Sequence, residues 1–135
     1  MRRIVGAALV ALLVGGTIFA GTAGAHSFVS EPRVTIDKSP AGATAPGDRV
    51  VIFGDVKGRS FCTDGRQVTL FRSQPGADDR QGTDRTDNDG EYRFVIRPQA
   101  DGSYYVRIGP RRQTSYGHSH RCRGDRSPSV FVNVG

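Results

Sequence analysis

Histidine is the residue type in this chain best suited to bind a metal, and two of its three histidines form the pair His118-x-His120. On an extended segment that spacing sets both imidazoles on one side. His26 joins them if the chain is processed after Ala25, because a terminal histidine offers copper its amine together with its ring. A secreted copper-binding protein using His26, His118 and His120 is therefore one functional expectation. The competing one treats them as exposed histidines in a chain that needs no metal and no cofactor.

Other chemistry is thinner. Arg123-Gly124-Asp125 reads as an adhesion triplet, yet a chain of this composition yields one by chance roughly 0.2 times. Asp87, Asp89 and Gly90 resemble part of a calcium loop. With Gly90 as the sixth position, the first falls on Arg85 and the twelfth on Ile96, and neither ligates calcium. No Gly-x-Ser-x-Gly elbow, His-Glu-x-x-His pair or phosphate loop occurs, and Glu31 and Glu91 are the only glutamates. Serine, histidine and aspartate are present without spacing that favours a triad. The expected catalytic set is empty.

Charge offers a third possibility. The formal net charge is +6, carried almost wholly by arginine. Arg66, Arg72, Arg93, Arg97 and Arg107 are expected on outer strand faces, where they can meet an anionic polymer or simply keep the surface soluble. Tyr105 and Tyr116 are the only aromatics placed to interleave with them, too few for specific nucleic-acid recognition.

These residues must be positioned by a fold, and the sequence describes one. Met1-Arg2-Arg3, the apolar run Ile4–Ala20 and the small residues Thr22–Ala25 have the layout of a secretory signal peptide over 1–25, with cleavage after Ala23-x-Ala25. Glycines 15, 16 and 21 weaken the run as a permanent span, so no membrane segment is expected after processing. The remainder, 26–135, is the size of one domain. Its two cysteines, Cys62 and Cys122, lack C-x-x-C spacing, and in an exported chain they read as one disulfide.

Apolar and polar residues alternate over 33–37, 49–56, 66–72, 91–97, 103–109 and 128–134, with a weaker strand over 80–86. Val50, Ile52, Val56, Val68, Leu70, Tyr92, Phe94, Ile96, Tyr104, Val106, Ile108, Val130, Val132 and Val134 are the expected core. Gly54 marks a bulge or a close approach. Asp87-Asn88-Asp89-Gly90 has the chemistry of a tight hairpin turn joining the weak strand over 80–86 to the strand over 91–97. His26–Pro32 reads as a mobile lead-in, and Gly109–Ser127 as a long loop without strand pattern, the place where function would sit. No helical periodicity persists. Seven short strands separated by Gly, Pro and Asp turns predict an all-β fold, an antiparallel immunoglobulin-like or transthyretin-like β-sandwich of about seven strands with one disulfide.

The order Cys62-x-x-Gly65-Arg66-x-Val68-Thr69-Leu70, Gln74-Pro75-Gly76-Ala77-Asp78, Thr86-Asp87-x-x-Gly90-x-Tyr92, Gly102-x-Tyr104-Tyr105 and Cys122 is similar to small secreted actinobacterial proteins. More distantly it resembles carboxypeptidase regulatory-like (transthyretin-like) domains. The resemblance covers about 33–134 and implies a non-catalytic extracellular sandwich. The leading expectation is thus a secreted binding or structural module. Its partner would be extracellular or at the cell surface, with an anionic polymer as one candidate.

Overall fold

The computed structural model describes residues 26–115 and 117–135. The segment read as a signal peptide, and Tyr116, lie outside the described residues. Two antiparallel sheets face each other. In the first, β2 (Arg33–Val34) and β3 (Asp37–Ser39) share one edge of β4 (Val50–Lys57), whose other edge pairs with β7 (Glu91–Ile96). In the second, β6 (Asp79–Arg85), β5 (Gln67–Arg72) and β8 (Gly102–Ile108) lie side by side. The far edge of β8 takes β11 (Asp125–Arg126) and then β12 (Val130–Val132). Among the described residues the one helix is the single turn α1, Ser60–Thr63, and no helix is long and apolar enough to cross a membrane.

Period-two alternation explains the packing. Val50, Ile52, Val56, Tyr92 and Phe94 point inward from one sheet, and Val68, Leu70, Tyr104, Val106, Ile108 and Val132 from the other. Each such side chain, fully buried, contributes about 1.5–3 kcal/mol. The all-β sandwich and its inward residues are those the alternation predicts, with Ile96, Val130 and Val134 only partly buried at the margin.

The expected first strand, 33–37, is broken in two. Thr35 turns aside there: its backbone N–H donates to the Asp55 carbonyl at 2.9 Å, and its hydroxyl donates to the Asp55 carboxylate. At that break Tyr92 crosses the chain, its hydroxyl donating to the Thr35 carbonyl. The ring passes over Gly54, whose cross-strand partner is Tyr92. A Cβ on Gly54 would stand 2.7 Å from the Tyr92 hydroxyl and 2.8 Å from the Thr35 carbonyl carbon. Of the two expectations for Gly54, close approach is the one realised. Burial, and secondarily the nearby Asp55 charge, pushes the Tyr92 phenol far up.

The turn at 87–90 is not a hairpin. The strands it joins belong to different sheets, β6 pairing with β5 and β7 with β4. Its local chemistry is as expected: the Asp87 carboxylate accepts the N–H groups of Asp89 and Glu91, each at 2.9 Å, and Gly90 has φ +80°. The turn carries the chain from one sheet to the other, and Asp84 spans the gap by accepting the backbone N–H of Arg93 at 2.8 Å.

A third, small sheet corrects two further expectations. Gly109–Ser127 is not a patternless loop, because β9 (Arg111–Ser115) and β10 (His118–Cys122) form an antiparallel hairpin within it. His26–Pro32 is not a mobile lead-in, because β1 (Ser27–Ser30) pairs in parallel with β10. Both were illegible for one reason: neither segment turns an apolar face to the main core, so alternation is lost while the backbone ladder remains. The disulfide binds this sheet to the sandwich. Cys62 and Cys122 are joined with Cα atoms 5.6 Å apart. Cys62 lies in α1 and Cys122 ends β10, so the bridge ties the turn before β5 to the hairpin, not to the start of the last strand.

Candidate functional site

Once Tyr104, Val106 and Ile108 face the core, the pleat sends Tyr105 and Arg107 to the outer face of the five-stranded sheet. Cross-strand pairing then sets Phe71 opposite Tyr105, Thr69 opposite Arg107, and Arg126 opposite Arg107 on the other side. Along the neighbouring edge, Arg80 pairs with Phe71 and Arg85 with Gln67. The outward positions therefore collect Arg80, Arg85, Arg107 and Arg126 around aromatic surface.

The side chains interleave. The rings of Phe71 and Tyr105 stack at 5.3 Å between centroids and 14° between planes. The Arg126 guanidinium lies 3.7 Å above the Tyr105 centroid, and that of Arg107 lies 5.8 Å from the Phe71 centroid. Each exposed cation–π contact stabilises by about 0.5–1 kcal/mol. These contacts also place two long side chains over the rings and so restrict their rotamers. Arg126 is also why Tyr105 is only 3% exposed although it sits on the outward phase. Phe131, opposite Ser103 on the same face, is 54% exposed.

Asp78 completes the stack. The Tyr105 hydroxyl donates to its Oδ2 at 2.5 Å, and the Gln74 N–H donates to Oδ1 at 3.3 Å. These two bonds, with Arg126 nearby, hold the Asp78 carboxyl below the usual range, and the same bond pushes the Tyr105 phenol up. Stability from this pair is present above the ordinary aspartate pKa and is lost as pH falls through the depressed native value. Titration of the Asp78 carboxyl by NMR should therefore give a midpoint below that of free aspartate, moving upward in Tyr105→Phe. An unchanged midpoint in that variant would show the hydroxyl plays no part.

The arginines expected on outer faces divide differently. Only Arg107 of that set belongs to this face. Arg93 is on β7 in the opposite sheet, and Arg97 follows it and donates to the Gly47 carbonyl at 3.2 Å. Arg72 is drawn to the Asp101 carbonyl at 2.8 Å. Arg66 is not on the surface at all. It is 3% exposed, and its Nη1 donates to the Cys62 carbonyl at 2.7 Å while Nη2 donates to the Gly109 carbonyl. The end of α1 and the start of the β9 hairpin close over it.

No family model matches this chain, and no curated protein is significantly similar to it. His26, His118 and His120 do share one face of the small sheet, since parallel pairing of β1 with β10 aligns them. Their rings do not converge. His26 and His118 are stacked at 6.0 Å and 4°, which leaves their nitrogen lone pairs side by side in parallel planes. His120 is wedged between Phe28 at 5.7 Å and Phe61 at 4.6 Å, with an enclosed Nδ1 that has no partner among the described residues. Among the described residues no three His, Cys, Asp or Glu side chains form a group able to hold a metal ion.

The Arg123-Gly124-Asp125 triplet is engaged with its own chain, although Arg123 and Gly124 are exposed. Asp125 Oδ2 accepts the Val34 N–H at 2.8 Å, Arg123 pairs with Glu31 at 3.3 Å, and Gly124 lies against the Ile108 carbonyl. An adhesion loop must present both charged ends to a partner, and here the aspartate is already bonded. An open hollow of about 760 Å³ beside Phe53, Asp55 and Tyr92 mixes acids with Lys57, Arg85 and Arg93 and has no focus of one charge.

Proposed function

We propose that this protein is a secreted, non-catalytic β-sandwich module that binds an anionic polymer outside the cell or at its surface through the outer face of the sheet built on β5 and β8. The observation that carries the reading is the stack Arg126–Tyr105–Phe71–Arg107. Guanidiniums already placed over aromatic rings have less freedom to lose when a polymer's charged groups arrive, and preorganisation of that kind converts into affinity. Arg80 and Arg85 extend the positive surface along the neighbouring strand. The buried disulfide supports an oxidising compartment outside the cytoplasm, and the N-terminal pattern supports export.

Long-chain polyphosphate, titrated against the disulfide-intact protein, provides the test. Affinity should fall linearly with salt on logarithmic axes, as expected when bound counterions are released. The double variant Arg107→Gln/Arg126→Gln should bind about tenfold more weakly, with a salt slope shallower by roughly two. Arg93→Gln/Arg97→Gln, on the opposite sheet, should bind as wild type. Equal losses from both pairs would reduce the reading to nonspecific attraction by net charge, and no loss from the first pair would end it.

A further inference from the structure

At one end of the same face the sheet stops at a polar hollow of about 420 Å³, and three arginines line it. Arg66 reaches it from beneath, Arg85 from β6, and Arg111 from the start of β9. Their guanidiniums are fixed by main-chain carbonyls. Besides the Arg66 bonds to Cys62 and Gly109, Arg111 Nη1 donates to Phe61 at 3.1 Å and Asp64 at 2.8 Å, and its Nη2 donates to Gly65 at 3.3 Å. Arg85 Nη1 donates to the same Gly65 carbonyl at 2.9 Å.

Three cations thus gather around one small volume, and no carboxylate neutralises them. The ion pairs among the described residues are Lys57–Asp55 and Arg123–Glu31, neither of which involves this group. Asp64, Asp84 and Asp87 instead accept hydrogen bonds from the Thr63 hydroxyl, the Arg93 N–H and the N–H groups of their own turn, and none forms an ion pair with these arginines. Carbonyl dipoles orient a guanidinium but do not cancel its charge. Burial pushes the Arg66 guanidinium below the ordinary arginine range, and the facing Arg111 charge adds to that. Such mutual repulsion is relieved by an anion placed between the partners.

We propose that this hollow is an oxyanion site for a tetrahedral dianion of the phosphate class, bound by Arg66, Arg85 and Arg111 with the outward Gln67 and Thr69 at its rim. A guanidinium has five N–H donors. The carbonyl bonds use two on Arg66, three on Arg111 and one on Arg85, so each retains donors for a ligand. A carboxylate has two oxygens and is matched by one arginine fork, whereas a phosphate group can meet three forks together and offsets more of the charge. The inference deepens the polymer reading, which it rests on only for the source of the phosphate: a group carried on the polymer rather than the free ion.

The probe is inorganic phosphate, added to isotope-labelled, disulfide-intact protein at constant ionic strength and followed by NMR. Saturable shifts should centre on the amides of Arg66, Gln67, Gly109 and Arg111. Arg85→Gln, at an exposed residue with one structural hydrogen bond, should keep the fold and weaken binding about tenfold. Shifts that never saturate, shifts that map elsewhere, or an Arg85→Gln variant that binds normally would each overturn the site. Acetate binding as tightly as phosphate would overturn the dianion class, and sulfate matching phosphate would support it. If phosphate binds here while polyphosphate binds no more tightly and ignores Arg107→Gln/Arg126→Gln, the site stands and the polymer reading falls.

Discussion

Gly54→Ala is expected to destabilise the fold by about 3 kcal/mol or more, the upper range for forcing an extra carbon into a packed interior. The added methyl would not meet a flexible side-chain tip. It would strike the Thr35 carbonyl, a main-chain group, and the Tyr92 hydroxyl bonded to it. Relief requires either swinging the Tyr92 ring out of the core or pushing β2 and β3 away from β4. The first leaves a cavity and an unpaired phenol, and the second breaks the reciprocal bonds between Thr35 and Asp55. Thermal unfolding followed by circular dichroism should show a Tm lower by about 10 °C or more. A variant melting within a degree or two of wild type would mean the strand edge yields freely and that Gly54 is there by accident.

Removing the disulfide should have an effect of similar size by a different route. Cys62 and Cys122 are separated by 60 positions. A cross-link of that span restricts the unfolded chain by about 4 kcal/mol in the chain-entropy account. Against a total of about 5–15 kcal/mol, Cys62→Ala/Cys122→Ala should leave a marginal domain. The loss should also be uneven. The β9–β10 hairpin adds no side chain to the central apolar cluster apart from the buried bridge itself, and is otherwise held by β1 and by the Arg111 bonds. Amide exchange in 111–122 should accelerate more than in 67–72. Uniform acceleration would show that the hairpin is an integral part of the sandwich rather than an appendage fastened to it.

What the sequence disclosed was whatever water had sorted. Strands β4, β5, β7 and β8 each bury one face and expose the other, so Val50–Val56, Val68–Leu70, Tyr92–Phe94 and Tyr104–Ile108 announce their phase. Periodicity does not say which strands share a sheet. Arg93, Arg97 and Arg107 look equivalent in the sequence, yet the first two lie with one sheet and the third with the other. Nor does it show side chains brought together over long separations. Arg126 comes to rest on Tyr105 from a two-residue strand with no pattern of its own. Within the polar arm 109–127, Arg111 bonds to the carbonyls of Phe61, Asp64 and Gly65 and Arg126 lies over Tyr105, contacts that no strand pattern announces. Arg66 was misplaced because its partners are backbone carbonyls, which carry no residue-type signature.

The carboxylate of Asp84 has a consequence beyond joining the two sheets. β7 is an edge strand, and an outward main-chain N–H on such an edge is an invitation for a strand from another copy to dock. At Arg93 that donor is already occupied from within the same molecule. The exposed neighbours Glu91 and Arg93 add charges of both signs along the same short stretch. A strand arriving from another copy therefore finds one main-chain donor fewer on this edge, and the ladder it would build is interrupted at Arg93.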